Sequence, residues 1–254
     1  MAGHFIWYEL MTSDLDAAIA FYGDVVGWSV VAGTTPGMDY RMIHAGDKAI
    51  GGTMALPETT NAAGMKPGWF TYLGVPDVDA ELLAFEAAGG KVLWPANDIP
   101  GVGRFAMVAD PQGAAIYVMT PATGGESGAF DRQAEGHCGW NEYHAHDAAA
   151  AYDFYAGRMG WQKSDAVDMG PMGIYQTFTA DGALTGGMMN NPPVATAWLF
   201  YFNTGDIDAA VERITRGGGV IQLTPMPVPG GQWAVTARDP QGVIFGLLGT
   251  RATA

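Results

Sequence analysis

Four times along the chain, a short strand-like apolar run leads into an acidic turn and then a one-sided helical pattern. The runs are Phe5 to Met11, Trp69 to Val75, Cys138 to Ala145 and Trp198 to Asn203. They lead into Ser13-Asp14-Leu15-Asp16, Pro76-Asp77-Val78-Asp79, His146-Asp147-Ala148 and Gly205-Asp206-Ile207-Asp208. An Asp at a helix start accepts the free N–H groups of the first turn and complements the helix dipole, so each of these reads as a helix N-terminus. Leu15, Ile19, Tyr22 and Val26 then keep helical spacing up to Gly27, and Val78, Leu82 and Phe85 keep it up to Gly89. Shorter strand-like runs parted by Gly, Pro and Asp follow each helix. The pattern predicts a βαβββ unit repeated four times.

A longer repeat contains the short one. Gly3-His4-Phe5-Ile6-Trp7-Tyr8-Glu9 returns as Gly136-His137-Cys138-Gly139-Trp140-Asn141-Glu142, and Phe21-Tyr22 with Gly27-Trp28 returns as Phe154-Tyr155 with Gly160-Trp161. Asp110-Pro111-Gln112-Gly113, suited to a type I turn before a strand from Ala114 to Met119, returns as Asp239-Pro240-Gln241-Gly242 before Val243 to Leu248. Two homologous domains are expected, at 1–122 and 136–254, joined by a Gly-rich linker at 123–135.

Composition narrows the function classes. Of 254 residues, 48% are hydrophobic and only 15% charged, which supports a packed core and excludes disorder as the main state. A net charge of −14 with 12 scattered Lys and Arg argues against nucleic acid or an anionic membrane as partner. Neutral or cationic small molecules suit this field better. Cys138 is the only cysteine, the N-terminus lacks a secretory pattern and no apolar run is long enough to span a bilayer, so a cytoplasmic protein, monomer or homodimer, is expected.

Four βαβββ units, with Phe-Tyr and Gly-Trp closing the first helix of each half and Asp-Pro-Gln-Gly opening each half's last strand, resemble the vicinal oxygen chelate superfamily. That superfamily includes glyoxalase I, bleomycin-resistance proteins and extradiol dioxygenases. Trp7-Tyr8-Glu9-Leu10, Gly51-Gly52 and Gly103-Arg104-Phe105 look more closely like its tandem two-domain glyoxalase-like branch, often labelled hydroxylase. The resemblance implies an α+β fold of two tandem glyoxalase-like domains. Each would have a cup-shaped, curled mixed β-sheet flanked by helices, and the cup would hold a small ligand, often with a divalent metal.

Family metal sites take His or Glu from the first and last strands of each unit. The corresponding positions here hold Trp7, Phe70, Trp140, Leu199, Tyr117 and Gly246, and no His, Asp or Glu occurs in 51–55 or 186–190. No cofactor is therefore expected, with a divalent metal on ligands from unexpected strands as the minority reading.

Glu9 and Glu142 each lie two residues beyond a Trp and so share its strand face. A carboxylate against aromatic walls suits a general base or a hydrogen-bond anchor, and these two are the candidate catalytic residues; structural hydrogen bonding is the alternative. Candidate ligand-binding residues are Trp7, Trp140, Trp69, Tyr72, Tyr117, Trp198, Tyr201, His44, Met54 and Met189. Trp28, Trp161, Phe21, Tyr22, Phe154 and Tyr155 are expected to fill the core. His4 and His137 are expected to be structural, His146 to lie beside a helix cap, and Asn97, Asp98 and Arg104 to lie on a loop and strand edge. The expected activity is binding or transforming a small neutral aromatic or carbonyl compound without a family-type metal. Sequestration of a drug, or a metal-dependent lyase or dioxygenase reaction with atypical ligands, are the alternatives.

Overall fold

A computed structural model describes residues 2–33, 38–57, 65–124, 127–191 and 196–251. Linker residues 125 and 126 lie outside the described residues. The first βαβββ unit consists of β1 (Phe5–Thr12), α1 (Leu15–Val26), β2 (Ser29–Ala32), β3 (Tyr40–Ala45) and β4 (Lys48–Ala55). The second consists of β5 (Gly68–Gly74), α2 (Val78–Ala87), β6 (Lys91–Ile99), β7 (Gly103–Ala109) and β8 (Ala115–Pro121). The third comprises β9 (Cys138–Ala145), α3 (Ala148–Met159), β10 (Gln162–Asp168), β11 (Ile174–Ala180) and β12 (Ala183–Asn190). The fourth comprises β13 (Ala197–Asp206), α4 (Ile207–Arg216), β14 (Val220–Pro227), β15 (Trp233–Arg238) and β16 (Ile244–Thr250).

Two eight-stranded mixed sheets result, in the orders β2-β3-β4-β1-β5-β8-β7-β6 and β10-β11-β12-β9-β13-β16-β15-β14. Within each βαβββ unit the first strand runs parallel to the last, as β1 does to β4, and the intervening hairpins are antiparallel. Among the described residues, the four α-helices start where the acidic turns predict: Asp14, Asp77, Asp147 and Asp206 each accept a first-turn backbone N–H. The first helix of each half stops at a glycine in the left-handed region, Gly27 (φ 86°) or Gly160 (φ 69°), a conformation that costs other residues a Cβ clash. No helix among the described residues is long and apolar enough to cross a membrane.

By contacts, the chain divides into two compact units, each drawing on both halves of the sequence. One comprises Met1–Ile6, Phe70–Ser127 and Trp140–Leu199; the other Trp7–Trp69, Gly128–Gly139 and Phe200–Ala254. In the second unit, Tyr22 stacks on Trp28 and meets Trp69 and Phe245 edge-on, with Phe202 against both tryptophans. In the first unit, Tyr155 stacks on Trp161, Trp161 stacks on Phe178, and Trp198 meets Tyr143 and Tyr155 edge-on. Ring pairs in these arrangements contribute about 0.5–1.5 kcal/mol each beyond their burial.

The Asp-Pro-Gln-Gly turns connect to these cores. Asp239 Oδ1 accepts the backbone N–H groups of Gln241 and Val243, while Oδ2 accepts the Tyr22 hydroxyl at 3.1 Å. Burial pushes the Asp239 carboxyl above its ordinary range, and these hydrogen bonds oppose that effect. Asp110 accepts Gln112 and Ala114 in the same way, and its Oδ2 accepts two hydroxyls, those of Tyr143 and Tyr155. Each motif thus closes its own turn and holds a buried tyrosine from the other half of the sequence.

Candidate functional site

In the second unit, the first carboxyl cluster is built on β1, β3 and β4. The parallel register places Tyr8 opposite Gly51, Glu9 opposite Gly52 and Met11 opposite Met54. A Cβ added at Gly51 would strike the Tyr8 carbonyl, so glycine there permits the close approach of the strands. A Cβ at Gly52 would fall inside the Tyr40 side chain, so glycine there makes the seat on which Tyr40 lies. From that seat the Tyr40 hydroxyl receives the Trp7 indole N–H at 2.9 Å and donates to Glu9 Oε2 at 2.9 Å. Glu9 is 2% exposed, and its Oε1 is buried with no hydrogen-bond partner among the described residues. Burial, partly opposed by the Tyr40 and Trp7 hydrogen bonds, pushes its pKa up to about 8. Glu9 therefore carries its proton at neutral pH.

The second cluster, in the first unit, repeats this construction on β9, β11 and β12. Glu142 lies opposite Gly187 and His144 opposite Met189, and Tyr175 lies over Gly187, whose Cβ would overlap its ring. Trp140 donates to the Tyr175 hydroxyl at 2.6 Å, which donates to Glu142 Oε2 at 2.8 Å. Here, however, His144 Nε2 lies 2.8 Å from Glu142 Oε1, and Asn191 Nδ2 lies 2.8 Å from His144 Nδ1. The Glu142 and His144 side chains keep 13% and 17% exposure, so solvent reaches this cluster.

The remaining candidates divide by strand face. In the first unit, Tyr72 and Tyr117 are register partners stacked at 4.4 Å, with Phe70 and Phe105 against them. In the second unit, Tyr201 lies over Gly246, the position equivalent to Tyr117, and its hydroxyl is 3.4 Å from that of Thr236. Met54 pairs with Tyr40 and Met11, and Met189 with His144. His44 lies half-buried on β3, its Nδ1 enclosed without a partner among the described residues.

Two of the expected ligand contacts are corrected. Trp69 and Trp198 lie in the aromatic cores, where their indole N–H groups donate to Tyr22 and Tyr155. The reason is strand alternation: each stands three residues from Tyr72 or Tyr201 and so takes the opposite face. Asn97, Asp98 and Arg104 belong to the paired strands β6 and β7 rather than to a loop, and Arg104 bridges Asp79 and Asp98. Sequence reasoning missed Tyr40, Tyr175 and Asn191. A signal for the tyrosines was present: Tyr40 precedes Gly51 by eleven residues and Tyr175 precedes Gly186 by eleven.

The side chains at these clusters do not fit a family-type divalent metal. Trp7 and Trp140 offer N–H donors where the metal needs lone pairs, and the hydrogen bonds that Glu9 accepts come from such donors. Both ring nitrogens of His144 are engaged by Asn191 and Glu142. Among the described residues, no group of three or more His, Cys, Asp or Glu is placed to hold a metal ion.

Comparison with known proteins agrees with the repeat structure. The model of the Glyoxalase/Bleomycin resistance protein/Dioxygenase superfamily matches residues 4–118 and again 136–247. A Mycobacterium tuberculosis protein provisionally named as a glyoxylase, CFP32, is 32% identical over 247 residues, 95% of this chain and 93% of its own. The anthracycline biosynthesis protein DauV of a Streptomyces species is 28% identical over 257 residues, 96% of this chain and 92% of its own. Among solved structures, the Mn(II)-bound glyoxalase of Novosphingobium aromaticivorans shares the fold with a TM-score of 0.63 at 17% identity, covering 99% of this chain and 82% of that one. Homoprotocatechuate 2,3-dioxygenase of Brevibacterium fuscum, in complex with 3,4-dihydroxyphenylacetate, does so at 0.69 and 13% identity, with the same coverage. Repeated βαβββ units, paired Asp-Pro-Gln-Gly turns and a family match to both halves together establish that the chain belongs to the Glyoxalase/Bleomycin resistance protein/Dioxygenase superfamily.

Proposed function

We propose that the protein binds a small neutral aromatic or carbonyl compound and acts on it through Glu9, without a family-type metal. The observation that carries this reading is the Glu9 carboxyl group. Tyr40 occupies one oxygen, the other is buried without a partner among the described residues, and the group is protonated at neutral pH. A buried acid that keeps its proton donates a hydrogen bond to a carbonyl oxygen and polarises it, which an ionised carboxylate cannot do. Trp7, Tyr40 and Met54 supply aromatic and thioether surface beside it. The relative named for anthracycline biosynthesis supports the same compound class, because anthracyclines are aromatic polycycles carrying ketone and quinone oxygens.

The test is binding of acetophenone and 1-acetonaphthone to wild type, Glu9→Gln and Glu9→Leu, followed through the Trp7 indole signal. Gln keeps a donor, so affinity should stay within about threefold, whereas Leu should lower it about tenfold or more. Equal affinity in wild type and Glu9→Leu defeats the proposal. Where turnover of a ketone is found, its loss in Glu9→Gln at retained affinity marks proton transfer, and unchanged turnover leaves Glu9 as an anchor.

A further inference from the structure

The second unit holds a cleft of about 330 Å³ at the C-terminal end of α1, and no residue of either carboxyl cluster lines it. That volume lies within the range of small-molecule sites. Three carboxylates line the cleft, those of Asp24, Glu135 and Asp206, together with one cation, Arg213. Asp206 Oδ1 caps α4, and Asp24 pairs with Arg216 at 2.9 Å, an exposed pair that a competing cation can open. Arg213 is half-buried and tied down, its guanidinium donating to the Val25 carbonyl and, at 3.2 Å, to the Thr204 hydroxyl. Glu135 has no hydrogen bond or ion pair among the described residues. A Cβ added at Gly205 would come within 2.7 Å of Glu135 Oε1, so that glycine makes room for the carboxyl beside Asp206. The equivalent place in the other unit is built differently. Gly157, Ala2 and Ala84 stand there for Asp24, Glu135 and Arg213, and only the helix cap, Asp77, is acidic. The arginine that bridges the helices has changed sides: Arg158, the counterpart of Val25, donates to the Ala84 carbonyl.

We propose that this cleft binds a linear organic polycation, a diamine or polyamine, with one ammonium group on Glu135 and another on Asp24 or Asp206. Arg213 and Arg216 offset two of the three carboxylates, which leaves Glu135 as the anchor. Among the described residues no three acidic, His or Cys side chains are placed to share a metal ion, so the negative charge is spread around the cleft rather than focused at a point. Spread charge suits cationic groups separated by a chain, and the partly exposed Val26 offers apolar surface to the methylenes between them. The C-terminal end of α1 adds its partial negative charge, and the net charge of −14 favours the approach of cations. Arg213, which ties the end of α1 to α4, is a positioning residue. This inference does not rest on the reading of Glu9.

The experiment is ¹⁵N NMR of the full chain, read at two indole signals. Trp28 follows Gly27 and donates to the Gly136 carbonyl at 2.7 Å, so its indole N–H reports on the cleft. Trp161 donates to the Gly3 carbonyl at 2.7 Å and reports on the equivalent place in the other unit. Assignment comes from Trp28→Phe and Trp161→Phe, and the probes are spermidine, putrescine and butylammonium at constant ionic strength. Spermidine and putrescine should shift the Trp28 signal to saturation and leave Trp161 in place, and butylammonium, with a single charge, should bind about tenfold more weakly than putrescine. Glu135→Gln, an exposed and nearly isosteric change, should lower spermidine affinity about tenfold with the Trp161 signal unchanged. Asp24→Asn should lower it about threefold. A Trp28 signal that does not respond, an equal response at Trp161, equal affinity for butylammonium or unchanged affinity in Glu135→Gln overturns the proposal. So does a shift that magnesium chloride reproduces at matched ionic strength, which would mark diffuse counter-ion binding.

Discussion

Glu9 and Glu142 occupy equivalent places on equivalent strands, below equivalent tyrosines seated on equivalent glycines, yet their surroundings differ. Around Glu9 the neighbouring positions are filled by Met11 and Leu56, which offer no hydrogen bond, and the carboxyl retains its proton. Around Glu142, His144 and Asn191 supply a donor chain, and the cluster admits solvent. On a common scaffold, the two glutamates thus differ in their hydrogen-bond partners and in their exposure. The two repeats share a frame and differ in the polar environment built on it.

The largest effect that would sharpen this contrast is a dependence of stability on pH. Folding raises the Glu9 pKa from 4.5 to about 8, so the folded state holds a proton that the unfolded state releases across that window. The stability linked to this proton is fully present below about pH 4.5 and is lost as pH rises through about 8. At about 1.36 kcal/mol per pKa unit, the loss over the whole window approaches about 5 kcal/mol. Urea denaturation from pH 5 to 8.5 should show wild type losing stability relative to Glu9→Gln, and parallel profiles would refute the protonated state.

Next in size are the glycines. Gly51→Ala should cost about 3 kcal/mol, because the new Cβ meets the Tyr8 backbone carbonyl, which cannot yield as a side chain can. Gly186→Ala should cost more, since its Cβ meets both the Asn141 carbonyl and the Phe178 ring. Thermal unfolding gives the ranking, and a wild-type melting temperature in either variant would mean that the close strand approach is not required.

The buried Tyr–Asp pairs should differ between the units by a smaller amount. Tyr22→Phe leaves Asp239 Oδ2 without its tyrosine and Trp69 without its acceptor, for about 2 kcal/mol. Tyr155→Phe likewise leaves Trp198 without its acceptor but leaves Asp110 still holding Tyr143, for about 1 kcal/mol. Equal costs by denaturant titration would show that the second hydroxyl on Asp110 contributes nothing.

The smallest effect tests the comparison most directly. Met11→His with Leu56→Asn transplants the donor chain beside Glu9 and should favour its ionised form by about 1 kcal/mol. Carbon NMR of the Glu9 carboxyl should then show its titration moving down from about 8. A titration that does not move would mean that burial alone governs Glu9.

Much of the architecture was legible along the chain. Asp14, Asp77, Asp147 and Asp206 announced helix starts because capping is a local interaction, and the strand runs followed from local alternation. The shared faces of Trp7 with Glu9 and of Trp140 with Glu142 were legible for the same reason. Tyr40 and Tyr175 were harder to see, because their importance comes from glycines twelve residues away on another strand. Asn191 was invisible, since nothing local marks it as the partner of a histidine 47 residues earlier. Trp69 and Trp198 were misplaced through neglect of an alternation already present in the sequence.

By itself, then, the sequence determined the four βαβββ units, the helix boundaries and the positions of two matched glutamates, all of which depend on neighbours within a few residues. Tertiary structure decided what surrounds them: Tyr40 and Tyr175 reach Glu9 and Glu142 from another strand, Asn191 reaches His144, and burial pushes the Glu9 pKa up. These partners are set by side chains that only folding brings together, at a cost in desolvation or a gain in donors that no local pattern records.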